Sequence, residues 1–248
     1  MKITLKTAPA AACAALLLFS AAVIDARPWA QRDWRKADRS SAGISPAPSQ
    51  EKGAVVQGFA ARTVGWRGIF AVHSWIAVKE KDAASYRVYQ LVGWRLRRAG
   101  SAVVIEEDVP DRKWYGRRPL LLFDLRGERA GRAIPHIAAA AASYPWPGSY
   151  RAWPGPNSNT FISHILRSVP GIGVELPPNA IGRDWLDGAA GLSETRTGAQ
   201  VSLLGVAGFT AGLRDGVEAN LLGLCFGMDL LRPAVKLPLI GRLGFKDK

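Results

Sequence analysis

The chain has 248 residues, of which 48% are hydrophobic and 21% are charged. This composition is typical of a globular domain and excludes a disordered or collagen-like chain. The 33 basic and 20 acidic residues give a net charge of +13, which favours an anionic partner. Two cysteines and three histidines exclude a disulfide scaffold and a thiolate zinc cluster, so we predict neither a metal nor another cofactor.

Residues 1–26 have the order of a secretory signal peptide. Lys2 and Lys6 form a short basic start, and residues 8–24 carry no charge and are rich in alanine and leucine. Cleavage after Ala22 satisfies the requirement for small residues at the cleavage site. An uncleaved anchor is the alternative, although the apolar stretch is at the lower limit for spanning a membrane. We expect an exported protein that is periplasmic or anchored in the inner membrane.

Export would change the meaning of the positive charge. Outside the cytoplasm, the available polyanions are lipid headgroups, lipopolysaccharide phosphates and cell-wall carboxylates, and attraction to them is salt-sensitive and independent of sequence. No run of arginines has the density of a nucleic-acid-binding arm. We therefore predict an anionic lipid headgroup or cell-wall glycan as the partner, and no nucleic acid. A charge that serves solubility alone is the alternative.

Residues 27–53 are rich in charged residues, serine, proline and alanine. Such a segment buries too little apolar surface to stay ordered, so it is predicted to be a flexible linker. A single α+β domain is expected over residues 54–248. Its first half contains four apolar runs of strand length, rich in β-branched and aromatic residues. These predicted strands are 68–78, 86–92, 102–105 and 120–125.

An alanine-rich run predicts a helix over residues 131–143, because alanine has the highest helix propensity and Tyr144-Pro145 ends it. An irregular, aromatic segment follows over residues 144–159. The Asn-Ser-Asn-Thr sequence at 157–160 supplies good N-cap residues. Apolar residues then recur with the spacing of one helix face. The irregular segment is therefore predicted to deliver polar side chains to the start of a second helix.

Residues 198–248 are predicted to form a β-extension of antiparallel strands. Ser-Leu-Leu-Gly-Val at 202–206 recurs in type as Asn-Leu-Leu-Gly-Leu at 220–224, and both segments are assigned to long strands. Arg214-Asp215-Gly216 between them is a hairpin turn signal. A third strand is expected at 234–240. Charged residues keep these segments below membrane-spanning length.

His73 and Ser158 are the candidate catalytic residues. A nucleophile at a helix N-terminus gains from the unpaired backbone N–H groups and from the positive end of the helix dipole. A histidine on a facing strand accepts the proton of the nucleophile if a third polar group fixes its tautomer, and Gln90 and Tyr89 are candidates for that group. The structural alternatives are that Ser158 and Asn157 only cap the helix and that His73 is a hydrogen-bonded core residue.

A second group of residues is predicted to contact a substrate. The aromatic side chains of residues 144–159 are suited to stacking on a sugar, although a loop packed on its own rings has the same composition. Residues 113–118 place basic side chains beside an aromatic face, which suits a phosphate or carboxylate but also a solvated turn. The predicted substrate-binding residues are Asn157, Asn159, Trp153, Tyr150, Trp114 and Arg117.

The order of these motifs resembles the circularly permuted papain-like superfamily, which includes relatives of lecithin:retinol acyltransferase and some cell-wall amide hydrolases. In that superfamily a histidine that opens a strand precedes the nucleophile, as His73 precedes Asn157-Ser158-Asn159-Thr160-Phe161 here. The resemblance implies a mixed or antiparallel sheet, a helix after residues 157–160, and acyl transfer or amide/ester hydrolysis.

This chain has Ser158 where the superfamily has cysteine, and a serine hydroxyl needs a much better base than a thiol does. Either Ser158 acts as a serine–histidine nucleophile, or the fold persists without that chemistry. The alternative function is that of a non-catalytic envelope protein that binds anionic lipid or glycan. The stretch from His73 through 153–161 to 177–182 also resembles a bacterial family catalogued as domain of unknown function 3750. That resemblance extends to the glycine-spaced C-terminal strands and implies no known activity.

Overall fold

The computed structural model describes residues 36–245. The predicted signal peptide or anchor and the first part of the predicted linker lie outside the described residues. Two antiparallel sheets and two main helices make up the described part, which confirms the predicted α+β class. Between residues 36 and 245, none of the helices has the length and apolar character needed to cross a membrane.

Five antiparallel strands form the first sheet. They are β1 (Val55–Arg62), β2 (Val72–Lys79), β3 (Arg87–Leu91), β4 (Val103–Glu107) and β5 (Leu120–Arg126). Their order is β4-β3-β2-β1-β5. Four of them confirm predicted strands, although the strand predicted from residue 68 begins only at Val72 because Gly65–Ile69 forms a 3-10 turn. β1 is absent from the predictions because nearly all of its residues are buried, so it lacks the polar–apolar alternation of a half-exposed strand.

Helices cover one face of the first sheet. A short helical turn, α1, spans Leu96–Ala99, and the main helices are α2 (Gly127–Ala142) and α3 (Ser158–Ser168). α2 packs against β1, β5 and α3, whereas α3 packs against β2 and β3. Helix α2 begins four residues before the predicted start, with Glu128 favourably placed in its first turn. The core between helices and sheet is closed by buried aliphatic and aromatic side chains, including Ile76, Leu91, Ile137, Phe161 and Ile165.

The opposite face of the first sheet is covered by loops. Trp75 of β2 packs there with Trp114, and Ile44 of the predicted linker packs against the same cluster. The buried carboxylate of Asp111 accepts hydrogen bonds from the Ser41 hydroxyl and from the backbone N–H of Ile44. The described part of the predicted flexible linker is therefore attached to the sheet, because its polar groups find buried partners.

Seven further antiparallel strands form the second sheet, a meander in which each strand pairs with its neighbours in sequence. They are β6 (Ala190–Leu192), β7 (Gly198–Leu203), β8 (Ala207–Gly212), β9 (Gly216–Leu221), β10 (Leu224–Asp229), β11 (Ala234–Leu237) and β12 (Gly241–Gly244). The predicted hairpin turn at 214–216 joins β8 to β9 and is confirmed. The predicted third strand corresponds to β11 and is shorter than expected.

The second leucine and the glycine of each Leu-Leu-Gly repeat lie in a turn, whereas Leu203 and Leu221 end β7 and β9, so the assignment of the whole repeat to a strand is wrong. Leu204 and Gly205 have φ angles of 49° and 67°, and Leu222 and Gly223 have φ angles of 55° and 80°. Two consecutive positive φ angles define the type I′ turn, the preferred connection of a tight hairpin. The repeat therefore marks two hairpin turns, a three-residue connection between β7 and β8 and a two-residue connection between β9 and β10.

A buried ionic cluster joins the second sheet to the rest of the protein. Lys236 Nζ of β11 lies 2.6 Å from Glu175 and 2.7 Å from Glu218. Arg183 Nη2 lies 2.9 Å from Glu194 and 3.2 Å from Glu218. Two members of the cluster, Glu175 and Arg183, precede β6, and Glu194 lies between β6 and β7. The other two, Glu218 and Lys236, lie in β9 and β11. The cluster therefore fixes the inner face of the sheet through charges rather than through apolar packing.

Candidate functional site

Helix α3 begins in a capping box. The Asn157 side chain accepts hydrogen bonds from the backbone N–H groups of Asn159 and Thr160, and the Thr160 hydroxyl accepts from the N–H of Asn157. These contacts satisfy the otherwise unpaired donors of the first turn. Asn157 and Thr160 therefore perform the capping, and the neighbouring Ser158 hydroxyl takes no part in it.

Asn159 attaches the start of α3 to β2. Its Oδ1 accepts from the Ser74 hydroxyl at 2.8 Å, and its Nδ2 donates to the carbonyl oxygens of Val72 and Ile181. The side-chain amide of Asn157 is likewise committed to backbone carbonyls. Both asparagines were predicted to bind substrate and both line the cavity described below. The polar atoms of both side chains already form hydrogen bonds within the protein. The two asparagines therefore fix the position of the helix start.

His73 is buried and held on two sides. Its Nε2 lies 3.1 Å from Gln90 Oε1, and its ring stacks on Trp114 with ring centroids 3.7 Å apart. An amide oxygen only accepts hydrogen bonds, so Nε2 carries the proton and Nδ1 keeps the lone pair. Of the two candidate partners, Gln90 rather than Tyr89 bonds to His73. The alternation of β3 turns Tyr89 into the core under the helices.

The surroundings of His73 keep its imidazole neutral. Burial lowers the pKa of His73 to about 4, and the hydrogen bond that His73 donates to Gln90 opposes that shift. A neutral imidazole has a lone pair available at pH 7. The same shift makes it a weaker base than an exposed histidine.

A cavity of about 680 Å³ brings the two candidate catalytic residues to one place. Val72 and His73 are the first two residues of β2 and point to opposite faces of the sheet. A cavity at this end of the strand therefore reaches both faces. Ser158 lines it from the helix side. Among residues 36–245, no hydrogen bond joins His73 to Ser158, and the Ser158 hydroxyl has no hydrogen-bond partner.

The walls of this cavity are largely aromatic. The predicted substrate-binding residues Trp153, Tyr150 and Trp114 all line it, together with further aromatic side chains from other segments. Arg117 is not among the described residues that line this cavity. It lies in a tight turn whose backbone pairs with Trp114. The aromatic residues that sequence reasoning missed here are Trp66, Phe70, Trp94 and Tyr115.

A basic groove of about 750 Å³ adjoins the aromatic cavity and shares Trp94, Trp114 and Arg67 with it. No acidic residue is found among the described residues that line this groove. Its basic side chains are Arg39, Arg67, Arg97, Arg98, Arg112 and Lys113. They come from the predicted linker, the 3-10 turn, α1 and the loop after β4. Of these side chains only Lys113 belongs to the basic segment 113–118 noted in the sequence, so no local motif predicts the whole cluster.

Like charges are crowded within the basic groove. Burial lowers the pKa of Arg112, and the nearby charge of Arg39 lowers it further. Arg112 forms an ion pair with Asp108, and Lys113 Nζ lies 2.6 Å from Asp38. These acids offset only part of the positive charge, so an anion that entered the groove would relieve the remaining repulsion.

The described residues contain no group of three or more His, Cys, Asp and Glu side chains arranged to hold a metal ion. Cys225 is buried in β10, and burial raises the pKa of its thiol. A thiol that resists ionisation is a poor nucleophile. Cys225 therefore does not replace the cysteine that a papain-like enzyme would carry at position 158.

The fold and site define an α+β protein with an aromatic cavity beside a cationic groove. A family model described as a protein of unknown function (DUF3750) matches residues 53–185, and the chain belongs to this family. The match covers the first sheet and both main helices. It ends before β6, so the C-terminal strands lie outside it, contrary to expectation. No curated protein and no solved structure matches the chain.

Proposed function

We propose that the protein binds an anionic ligand with a ring or acyl portion, such as an anionic lipid or glycan of the cell envelope. The observation that carries this proposal is the contact between the aromatic cavity and a groove of six basic side chains. Arginine and lysine pair with phosphate or carboxylate, and aromatic faces accept sugar rings or acyl chains. The anion would occupy the groove and the rest of the ligand the cavity.

We assign this function to the cell envelope, because residues 1–26 have the order of a signal peptide. The protein would then act in the periplasm or at the inner membrane. N-terminal sequencing of the mature protein tests this assignment. A new N-terminus near residue 23 supports a cleaved signal, an intact Met1 on membrane-bound protein supports an anchor, and an intact Met1 on cytoplasmic protein contradicts export.

Titration calorimetry tests the binding proposal. Suitable probes are inorganic phosphate, an oligogalacturonate, and dihexanoyl phosphatidylglycerol below its critical micelle concentration. The double variant Arg97→Gln/Arg98→Gln should bind the preferred probe at least about tenfold more weakly, because each charge-assisted contact contributes about 1.5–3 kcal/mol. The control Arg129→Gln/Arg132→Gln removes the same charge from α2, away from the groove. Equal loss in both variants would contradict a localised site.

Acyl transfer or amide/ester hydrolysis is a second candidate function. It is favoured by the presence of His73 and Ser158 in the walls of one cavity. In this scheme Ser158 Oγ attacks the carbonyl carbon, Nδ1 of His73 takes the hydroxyl proton, and that proton passes to the leaving group when the carbonyl re-forms. Backbone N–H groups at the start of α3 would hold the oxyanion. This second proposal includes a permuted papain-like fold, in which β2 carries the histidine and α3 begins at the nucleophile.

Two observations place the catalytic proposal second. The lowered pKa of His73 makes it a weak base for a serine hydroxyl. In addition, β2 turns His73 and Trp75 toward the loop-covered face, whereas α3 packs on the other face. The binding proposal needs neither a strong base nor a direct contact between His73 and Ser158.

A serine-directed fluorophosphonate probe tests the catalytic proposal. Labelling of the full chain should disappear in Ser158→Ala and persist in Ser168→Ala, which alters a serine at the other end of the same helix. Gln90→Leu should slow labelling, because it frees the imidazole to adopt the other tautomer. A chain that is not labelled, or that is still labelled in Ser158→Ala, would rule out Ser158 as the nucleophile.

A further inference from the structure

The second sheet presents an apolar face to the outside and a polar face to the protein. Side chains that alternate outward along the strands are hydrophobic and at least 40% exposed, including Val201, Phe209, Val217, Phe226, Met228 and Val235. The inward-facing positions between them are polar and buried, including Gln200, Thr210, Glu218, Asn220 and Lys236. In a water-exposed sheet packed on a core, this polarity would be the reverse.

The outer face is too apolar to be explained as ordinary surface. Monomeric proteins seldom expose large contiguous apolar patches, and those that occur usually mark a binding surface. The sheet does not use this face for its own attachment, because Lys236 and Glu218 hold the inner face through the buried ionic cluster. The outer hydrophobic side chains therefore have no packing role within residues 36–245.

Two exposed leucines occupy turn positions that the backbone does not favour. Leu204 and Leu222 are 62% and 54% exposed and have φ angles of 49° and 55°. Asparagine and glycine adopt this conformation far more readily, and they dominate the first position of a type I′ turn. Hairpin folding therefore does not account for leucine at either site. A contact made by the leucine side chain would account for both.

The charged side chains that reach the surface around this face are all basic, although the buried Asp229 pairs with Arg232 and Arg242. From residue 190 to 245, the acidic side chains Glu194, Asp215, Glu218 and Asp229 are all buried. The exposed and half-buried charged side chains of the same range are arginines: Arg196, Arg214, Arg232 and Arg242. Three of them lie in the turns at one end of the sheet, where Leu213 and Leu230 are also exposed. The surface is thus apolar with a basic border.

We propose that the outer face of the second sheet inserts into the interfacial region of an anionic lipid bilayer. The hydrophobic side chains and the leucines of the turns would contact acyl chains, and the border arginines would contact lipid phosphates. This proposal concerns the outer face of the second sheet, which touches the wall of the aromatic cavity at the β9–β10 turn, where Trp153 donates to the Leu222 carbonyl. It does not rest on the function proposed above.

A second copy of the chain is a poorer occupant of the same face. In a two-fold dimer the same patch meets itself, so the arginine border of one copy would approach that of the other. The buried Asp229 pairs with Arg232 and Arg242, but no exposed acidic side chain between residues 190 and 245 would offset the remaining repulsion. Anionic headgroups supply the missing negative charge.

A dye attached at a turn of the sheet tests the insertion. We suggest the full chain with Cys13→Ser and Leu222→Cys, labelled with a nitrobenzoxadiazole maleimide, because Cys225 is buried and would not react. Vesicles of equal parts phosphatidylcholine and phosphatidylglycerol should shift the emission to the blue, and brominated acyl chains should quench it. The control dye at Leu120→Cys replaces a leucine of similar exposure on the first sheet and should stay unchanged. An unshifted dye at position 222 on vesicle-bound protein would overturn the proposal.

The double variant Leu204→Asn/Leu222→Asn gives an independent readout, since asparagine suits both turns and the fold should persist. Its vesicle partition coefficient should fall at least about tenfold, the effect of losing two apolar contacts with the membrane. An unchanged coefficient would contradict insertion. Sedimentation equilibrium without lipid should show a monomer. A dimer that this variant dissociates would assign the face to a second copy instead.

Discussion

His73 is a residue whose contacts decide its chemistry. It is 4% exposed, bonded to Gln90 and stacked on Trp114. The strand pattern around it predicts a buried position, but the identity of its partners depends on β3 and on the loop after β4. Burial favours the neutral imidazole because the charged form loses its hydration. The proposed ligand binding would use this neutral ring as an aromatic surface beside Trp114.

The lowered pKa of His73 makes folding stability depend on pH. Its folded-state pKa of about 4 lies below the usual value of 6.5, so the unfolded chain binds the proton first as the pH falls. The contribution of His73 is fully present above about pH 6.5 and is lost as the pH falls toward 4. A shift of this size corresponds to about 3 kcal/mol.

Urea unfolding between pH 7 and pH 4 measures this effect. His73→Asn should lose less stability than the original chain over that range, because asparagine does not titrate. His136→Asn, a change on helix α2 outside the cavity, is the control for removing a histidine elsewhere in the protein. Parallel curves for the original chain and His73→Asn would contradict the neutral, buried imidazole.

At the level of elements, two neighbouring residues at the start of α3 should differ in their effect on stability, because Asn157 caps the helix and Ser158 is the candidate nucleophile. Asn157→Ala should destabilise the fold by about 1–2 kcal/mol, because it leaves helix N–H groups unpaired. Ser158→Ala should change stability by less than about 0.5 kcal/mol, because its hydroxyl makes no hydrogen bond within the described residues.

Chemical denaturation of the two variants provides the comparison. Asn157→Asp keeps the acceptor for the helix N–H groups but cannot donate to the carbonyls of Ala152 and Ile181, so it should fall between the original chain and Asn157→Ala. If Ser158→Ala destabilises as much as Asn157→Ala, the serine is a structural residue and the assignment of its free hydroxyl is wrong.

At the level of the whole molecule, a few buried charges join the second sheet to the part of the chain that carries the site. Lys236→Met should destabilise the protein by about 3–5 kcal/mol, because Glu175 and Glu218 would remain buried and would lose the nearer of their two cations, keeping only Arg183. Arg132→Met, which removes an exposed ion pair with Glu128 on α2, should cost less than about 1 kcal/mol. Thermal and urea unfolding of both variants measure the difference. Equal effects would show that the cluster does not hold the sheet in place.

Local patterns predict those elements whose stability has local causes. The alanine-rich composition of α2 and the asparagines before α3 predict both helices, because propensity and capping depend on neighbouring residues. β1 is missed because a strand covered on both faces loses its alternation. The Leu-Leu-Gly turns are misassigned because leucine rarely adopts the positive φ angles of such a turn, so the sequence gives no turn signal there.

The sequence by itself determined the α+β class, four of the five strands of the first sheet, both main helices, the cap at α3 and the excess of positive charge. These features depend on composition and on contacts within a few residues. Only the tertiary structure decided that His73 pairs with Gln90, that basic residues from four segments form one groove, and that the second sheet turns its apolar face outward. Those features join residues far apart in the chain, and their free energy comes from burial and charge at positions that the folding of the sheets brings together.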